Sequence, residues 1–160
     1  QAGWDSRPAQ TADYSRFLAS LMKGQRWHFE IVANPTYSEP NGKRGKVKAH
    51  VSARHQLDWL YKRASQSGFA LAPRQDDPCT DEERARWATG DAPMVMERWT
   101  DVFGKGSDTR GSRHQVRISK VRFVGTLEIT DADAIRHALT HGIGRARAYG
   151  CGLLTLAPVR

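Results

Sequence analysis

Apolar and polar positions along the chain fall into a few clear periods. In "RWHFEIVANP", Trp27, Phe29 and Ile31 alternate with His28, Glu30 and Val32, the period of a half-buried strand, and Asn34-Pro35 ends it. Leu57, Leu60, Tyr61 and Ala64 share one face of a helix that Ser52 caps and that runs to about Gln66. "FALAP" and "MVMERWTDVF" read as strands, and Thr80 with Glu83 forms a capping box for a short helix through Trp87. "RHQVRISKVRFVGTLEIT" is one long strand. Val116 and Ile118 share a face, while Phe123, Leu127 and Ile129 take the opposite parity, which predicts a bulge near Ser119–Lys120. Thr130 is the expected cap of a last helix with Ala134, Ile135, Ala138 and Leu139 on its apolar face and Gly142 as a left-handed C-cap. The near-continuous apolar run "GLLTLAPV" predicts a final strand buried at the centre of a sheet. "DYSRFLASLM" adds a short helix near the start.

From Arg26 onward the order of the long elements is strand, helix, strand, strand, helix, strand. That order predicts an α+β domain, a ferredoxin-like βαββαβ unit with an antiparallel sheet and two helices on one face. It spans 26–160, and residues 1–25 form a polar lead-in. The 160 residues, 39% hydrophobic and 26% charged, suffice for one such core. No apolar run approaches the roughly 20 residues that cross a bilayer. The start, "QAGWDSRPAQTADY", lacks the basic and apolar regions of a signal peptide. Cys79 and Cys151 form no CxxC or Cys/His cluster and read as free thiols, which suits the cytoplasm. His137 and His141 lie four residues apart but no carboxylate or thiol joins them, so no metal is expected. No GxxxxGK[ST] loop is present, and no glycine pair opens a helix after a strand, so no nucleotide cofactor is expected.

Charge changes the picture. Lys and Arg number 25 against 17 Asp and Glu, a net +8, which suits a polyanion. The cations gather in three places. Lys43, Arg44, Lys46 and Lys48 follow an Asn41-Gly42 turn, and Arg110, Arg113 and Arg117 flank the turn of the long hairpin. In "HGIGRARAYGCGLLTLAP", Gly142, Gly144, Gly150 and Gly152 surround Arg145 and Arg147. Glycines let another backbone approach closely, and guanidiniums grip phosphate oxygens in pairs, so this loop is a candidate seat for a sugar-phosphate chain. A tight helix-to-strand connection with solvated arginines has the same spacing. Trp59 and Trp99 are candidate base-stacking rings, and His28 faces away from the apolar side of its strand.

The same stretch resembles the C-terminal glycine-rich motif of the CasE family, the CRISPR-RNA-processing endoribonucleases of the Cascade complex, within the repeat-associated mysterious protein superfamily. Gly142, Ile143, Gly144, Arg147, Gly150, Gly152, Leu153, Leu154, Thr155, Leu156, Ala157 and Pro158 fit that pattern. "RWHFEIVANPT", "GKRGKVKAHVSARHQLDWLYKRASQSGF" and "VRFVGTLEITDADAIRHALTHGIG" resemble family segments in the same order. The resemblance implies tandem ferredoxin-like domains, of which this chain holds the second. It implies binding of a CRISPR repeat stem-loop, partnership with other Cascade subunits, and metal-free cleavage by a ribose 2′-OH that leaves a 2′,3′-cyclic phosphate. The family's catalytic His and Tyr lie on the first domain, so no catalytic residue is carried onto this chain. The exposed contact surface of that missing domain would favour self-association. Two further readings stay open: a non-catalytic RNA-binding subunit, and a regulatory domain holding a small anion or nucleotide.

Overall fold

Strand periodicity and helix capping set the elements of the computed structural model, which describes residues 11–40, 45–74, 76–105 and 114–159. In chain order they are α1 (Ser15–Ser20), β1 (Arg26–Ala33), β2 (Thr36–Glu39), β3 (Lys46–Ala49), α2 (Ala53–Gln66), β4 (Phe69–Leu71), α3 (Asp81–Ala85), β5 (Met94–Lys105), β6 (His114–Ile129), α4 (Ala132–His141) and β7 (Leu154–Pro158). The Ser52 hydroxyl accepts from the His55 backbone N–H and starts α2. Thr80 and Glu83 close the expected capping box on α3.

The main sheet runs β4-β6-β1-β7, with every neighbour antiparallel. Helix α2 carries the chain from β1 across to β4, and α4 carries it from β6 across to β7. Each crossover leaves one strand between its ends, which is the split βαβ of a ferredoxin-like domain. β1 occupies one edge of β6, so β4 and β5 lie end to end along the other, β4 against 127–129 and β5 against 114–124. β2 and β3 form a separate two-stranded sheet.

Phe29, Ile31 and Ala33 of β1 join Val121, Phe123, Leu127 and Ile129 of β6 on one buried face. Leu60 and Ala64 of α2 and Ile135, Ala138 and Leu139 of α4 close over it. Each large buried side chain contributes about 1.5–3 kcal/mol. The segment before β1 belongs to this core through Leu21, which is fully buried. Arg136 donates to the carbonyls of Leu18 and Leu21 at 2.8 and 2.7 Å and ties that segment to α4. Among the described residues no helix is long and apolar enough to cross a membrane.

Three local expectations are corrected. β6 pairs without interruption, and the bulge lies on β5 between Val95 and Glu97. The change of parity in β6 has another cause. Val121 and Phe123 face the helices, whereas Ile118 shares the opposite face with Lys120, where the loop before β7 covers the sheet. β7 is an edge strand, not a central one, because the split βαβ order places the last strand outside β1. Its burial is uneven: Leu154 is buried and Thr155 exposed, and Leu153 just before it is 65% exposed. Asp131, not Thr130, caps α4, its carboxylate accepting from the N–H groups of Asp133 and Ala134.

Candidate nucleic-acid interface

The loop between α4 and β7 is fixed at both ends. Gly142 ends α4 with φ 76° and ψ 163°, a positive φ combined with extended ψ rather than the left-handed helical basin. The Ile143 N–H donates to the Gly152 carbonyl at 2.8 Å, and the Gly152 N–H donates to Val32 of β1 at 2.7 Å. A Cβ on Gly152 would lie 2.4 Å from the Ile143 carbonyl oxygen, and one on Gly144 would lie 2.8 Å from Cζ2 of Trp59. Gly142, Gly144 and Gly152 therefore admit the protein's own groups. Gly150 is open outward, with only the Lys120 ammonium at 4.0 Å. Between these anchors a 3-10 turn, Arg147–Tyr149, is flanked by left-handed Ala146 and Gly150.

Arg145 and Arg147 are both exposed on this frame. Arg147 donates to the His141 carbonyl at 2.7 Å, which neutralises a helix C-terminus while leaving the guanidinium charge unpaired by an acid. Among the described residues neither arginine pairs with a carboxylate.

The loop rests on the β5–β6 hairpin. The Lys120 ammonium donates to the Tyr149 carbonyl at 2.6 Å and pairs with Asp101 at 2.8 Å, and its side chain is only 12% exposed. The Tyr149 ring stacks on Phe103 with centroids 5.2 Å apart. Cys151 is buried beneath, and burial pushes its thiol pKa up, which removes it as a nucleophile.

The other predicted cations divide. Lys43, Arg44, Arg110 and Arg113 lie outside the described residues. Lys46 is exposed on β3, and Lys48 is paired with Glu39 of β2. The β2–β3 register places Tyr37, Glu39, Lys46 and Lys48 on one face of their hairpin. Arg117 is exposed on β6 opposite Val102, in the part of β6 that extends past β1 and pairs only with β5. His28 is exposed, with Nδ1 3.1 Å from the Thr126 hydroxyl. Trp59 is a core residue at 7% exposure, stacked on Phe123 and covered by Gly144. Trp99 is half-buried opposite Lys120.

Sequence reasoning passed over two sets of residues. Lys120 lies between Arg117 and Arg122 in the sequence, and nothing local to it shows that a distant carbonyl would sit on it. Tyr37, His50, His55, Lys62 and Arg63 come together from β2, the end of β3 and α2 around one cleft. The signal for that cluster was present only as two histidines bracketing a helix start, with a basic pair two turns on.

Comparison with known proteins adds a family. A family model described as CRISPR associated protein matches residues 1–158. The CRISPR-associated endoribonuclease Cse3 of Thermus thermophilus is 28% identical over 155 residues, 96% of this chain and 66% of that protein. The CRISPR system Cascade subunit CasE of Escherichia coli is 30% identical over 149 residues, 87% of this chain and 61% of that protein. A solved structure of CRISPR endoribonuclease Cse3 bound to a 19-nucleotide RNA superposes with a TM-score of 0.66 at 25% identity, covering 87% of this chain and 58% of that one. The chain thus spans less than two thirds of the length of these relatives.

Proposed function

The chain belongs to the CRISPR associated protein family, and from that premise we propose that it is the RNA-binding part of an endoribonuclease that cuts CRISPR precursor RNA at repeat stem-loops. Residues 26–160, with the segment around Leu21 packed into their core, form the RNA-binding domain. The observation that supports this reading is the α4–β7 loop: two exposed guanidiniums, without an acidic partner among the described residues, on a backbone anchored to β1, α2 and β6. A preordered cationic loop loses little conformational freedom on meeting a phosphate. Lys46, Lys48 and Arg117, with Lys43, Arg44, Arg110 and Arg113, extend the cationic contact along the stem. An A-form stem is read there by its shape, phosphates and 2′-OH groups.

Cleavage follows the metal-free route. A ribose 2′-oxygen attacks the adjacent phosphorus, the bond to the 5′-oxygen breaks, and a general acid protonates that leaving oxygen. The 2′-proton passes to a general base, and a 2′,3′-cyclic phosphate remains. This chain supplies the grip and cations near the developing charge, while the acid–base pair comes from the preceding domain. Alone, the chain binds the stem-loop without cutting it. In the whole protein it works beside other Cascade subunits.

The test has two parts. Fluorescence anisotropy should show the chain binding a repeat stem-loop in preference to an unstructured RNA of equal length. The full-length protein should cut that stem-loop in EDTA, and a 2′-deoxy substitution at the attacking ribose should stop the cut. A strict requirement for magnesium would rule out the proposed chemistry, and absence of stem-loop preference would rule out the proposed ligand.

A further inference from the structure

We propose that a cleft between the β2–β3 hairpin and α2 is a separate site for an unpaired nucleotide of the RNA, next to the stem held by the α4–β7 loop. The proposal rests on the RNA-binding reading above and adds a second contact to it.

Three rings follow one another along the cleft as a tilted ladder, Tyr37 at 36° to His50 and His50 at 43° to His55. Tyr37 and His50 have centroids 4.9 Å apart, and His50 and His55 have centroids 5.9 Å apart. Tyr37 is 42% exposed, so the ladder has an open face. The cleft encloses about 550 Å³, room for one nucleotide. Buried Gln56 holds the ladder by donating from Nε2 to the His50 carbonyl at 2.8 Å. Burial and the neighbouring His55 lower the His50 pKa, which favours a neutral stacking ring.

The charges around the rings suit a nucleotide. Lys62 and Arg63 line the cleft, and neither pairs with a carboxylate among the described residues. Asp58, the carboxylate in the lining, is held by Arg74 at 2.7 Å. Rings take a base by stacking, and the lysine and arginine take its phosphate. An acidic peptide would use the cations but leave the ring ladder idle. Trp59 also lines the cleft and carries Gly144 on its ring, so the cleft and the α4–β7 loop share one wall. A strand leaving the stem at the loop therefore meets the ladder next.

The experiment compares two RNAs on the same protein: the bare repeat stem-loop, and the stem-loop with a short single-stranded extension carrying 2-aminopurine. The extension should tighten binding roughly tenfold and quench the fluorescent base. Tyr37→Ala and His50→Ala should each remove most of that gain while leaving bare stem-loop binding unchanged. Tyr37→Phe and His50→Phe keep a ring and should restore it, which separates stacking from misfolding. The inference is overturned if the extension adds nothing, or if the alanine variants weaken both RNAs alike. It is also overturned if an acidic peptide competes with the extension and quenching is absent. Loss of binding to the bare stem-loop would instead strike at the RNA-binding reading itself.

Discussion

Gly150 and Gly152 both hold a positive φ, 78° and 87°, but they answer to different constraints. A Cβ on Gly150 meets only the Lys120 ammonium, at an ordinary contact distance of 4.0 Å, so Gly150→Ala carries the left-handed backbone cost alone, about 1 kcal/mol. A Cβ on Gly152 meets the Ile143 carbonyl oxygen at 2.4 Å and its amide nitrogen at 3.0 Å, neither of which can swing aside. Gly152→Ala should cost about 3 kcal/mol or more, through backbone displacement added to the same φ cost. Urea denaturation of both variants decides the matter, and equal losses would mean that the loop yields freely at Gly152. Tyr61 offers a second test at this scale. Its hydroxyl donates to the Ala72 carbonyl at 2.5 Å, and burial, its largest cause, raises its pKa to about 12. An acid whose folded pKa exceeds its unfolded value near 10 binds more protons when folded at intermediate pH, so stability falls as pH rises from 10 to 12. Tyr61→Phe should flatten that alkaline decline in a thermal-melt series, and one phenolate transition near pH 12 should vanish from the ultraviolet titration.

Among elements, the contact to test is the one between the α4–β7 loop and the β5–β6 hairpin. Lys120 joins the Tyr149 carbonyl to Asp101, and Phe103 stacks under Tyr149. Lys120→Met keeps most of the side-chain stem but leaves a carbonyl and a carboxylate without their partner, a loss of about 1–3 kcal/mol. The loop should loosen before the domain does: hydrogen exchange at Tyr149, Gly150 and Cys151 should quicken while α2 and β1 stay protected. Unchanged exchange in the loop would show that Gly152 and Trp59 alone hold it. This contact also marks where the sequence stopped being legible. Helix α2, its Ser52 cap, the α3 capping box and the long β6 were readable because each depends on neighbours within a few residues. The position of β7 was not. Apolar character reports burial, but whether a strand is central depends on which crossover brings it in, and β7 is placed outside β1 by α4. The parity change in β6 misled for a similar reason. A strand covered by helices on one face and by a distant loop on the other looks, from its own residues, like a bulged strand. Of the candidate site, the cations were legible by composition and spacing, while the Lys120 contact and the Tyr37–His50–His55 ladder depend on elements meeting across the fold.

For the whole molecule, a net +8 says that a polyanion will be attracted, and geometry decides which charges count. Several cations are already engaged within the protein: Lys48 with Glu39, Arg74 with Asp58 and Asp77, Lys120 with Asp101, and Arg26 and Arg86 together on Glu128. An engaged cation releases fewer counterions on binding RNA, because its field is partly cancelled before the phosphate arrives. Arg145 is exposed without such an engagement among the described residues, and Arg147 is tied only to a neutral carbonyl. Both should therefore count nearly in full. Stem-loop affinity measured across a salt series should fall linearly on a log–log plot, and Arg145→Ala or Arg147→Ala should each make the slope shallower by about one unit. Lys48→Ala should change it by less, since that substitution also frees Glu39 to repel phosphate and weakens binding more through its intercept than its slope. The two effects separate in the same titration. If all three variants shift the slope equally, the internal ion pairs open on binding, and the loop holds no privilege over the rest of the basic surface.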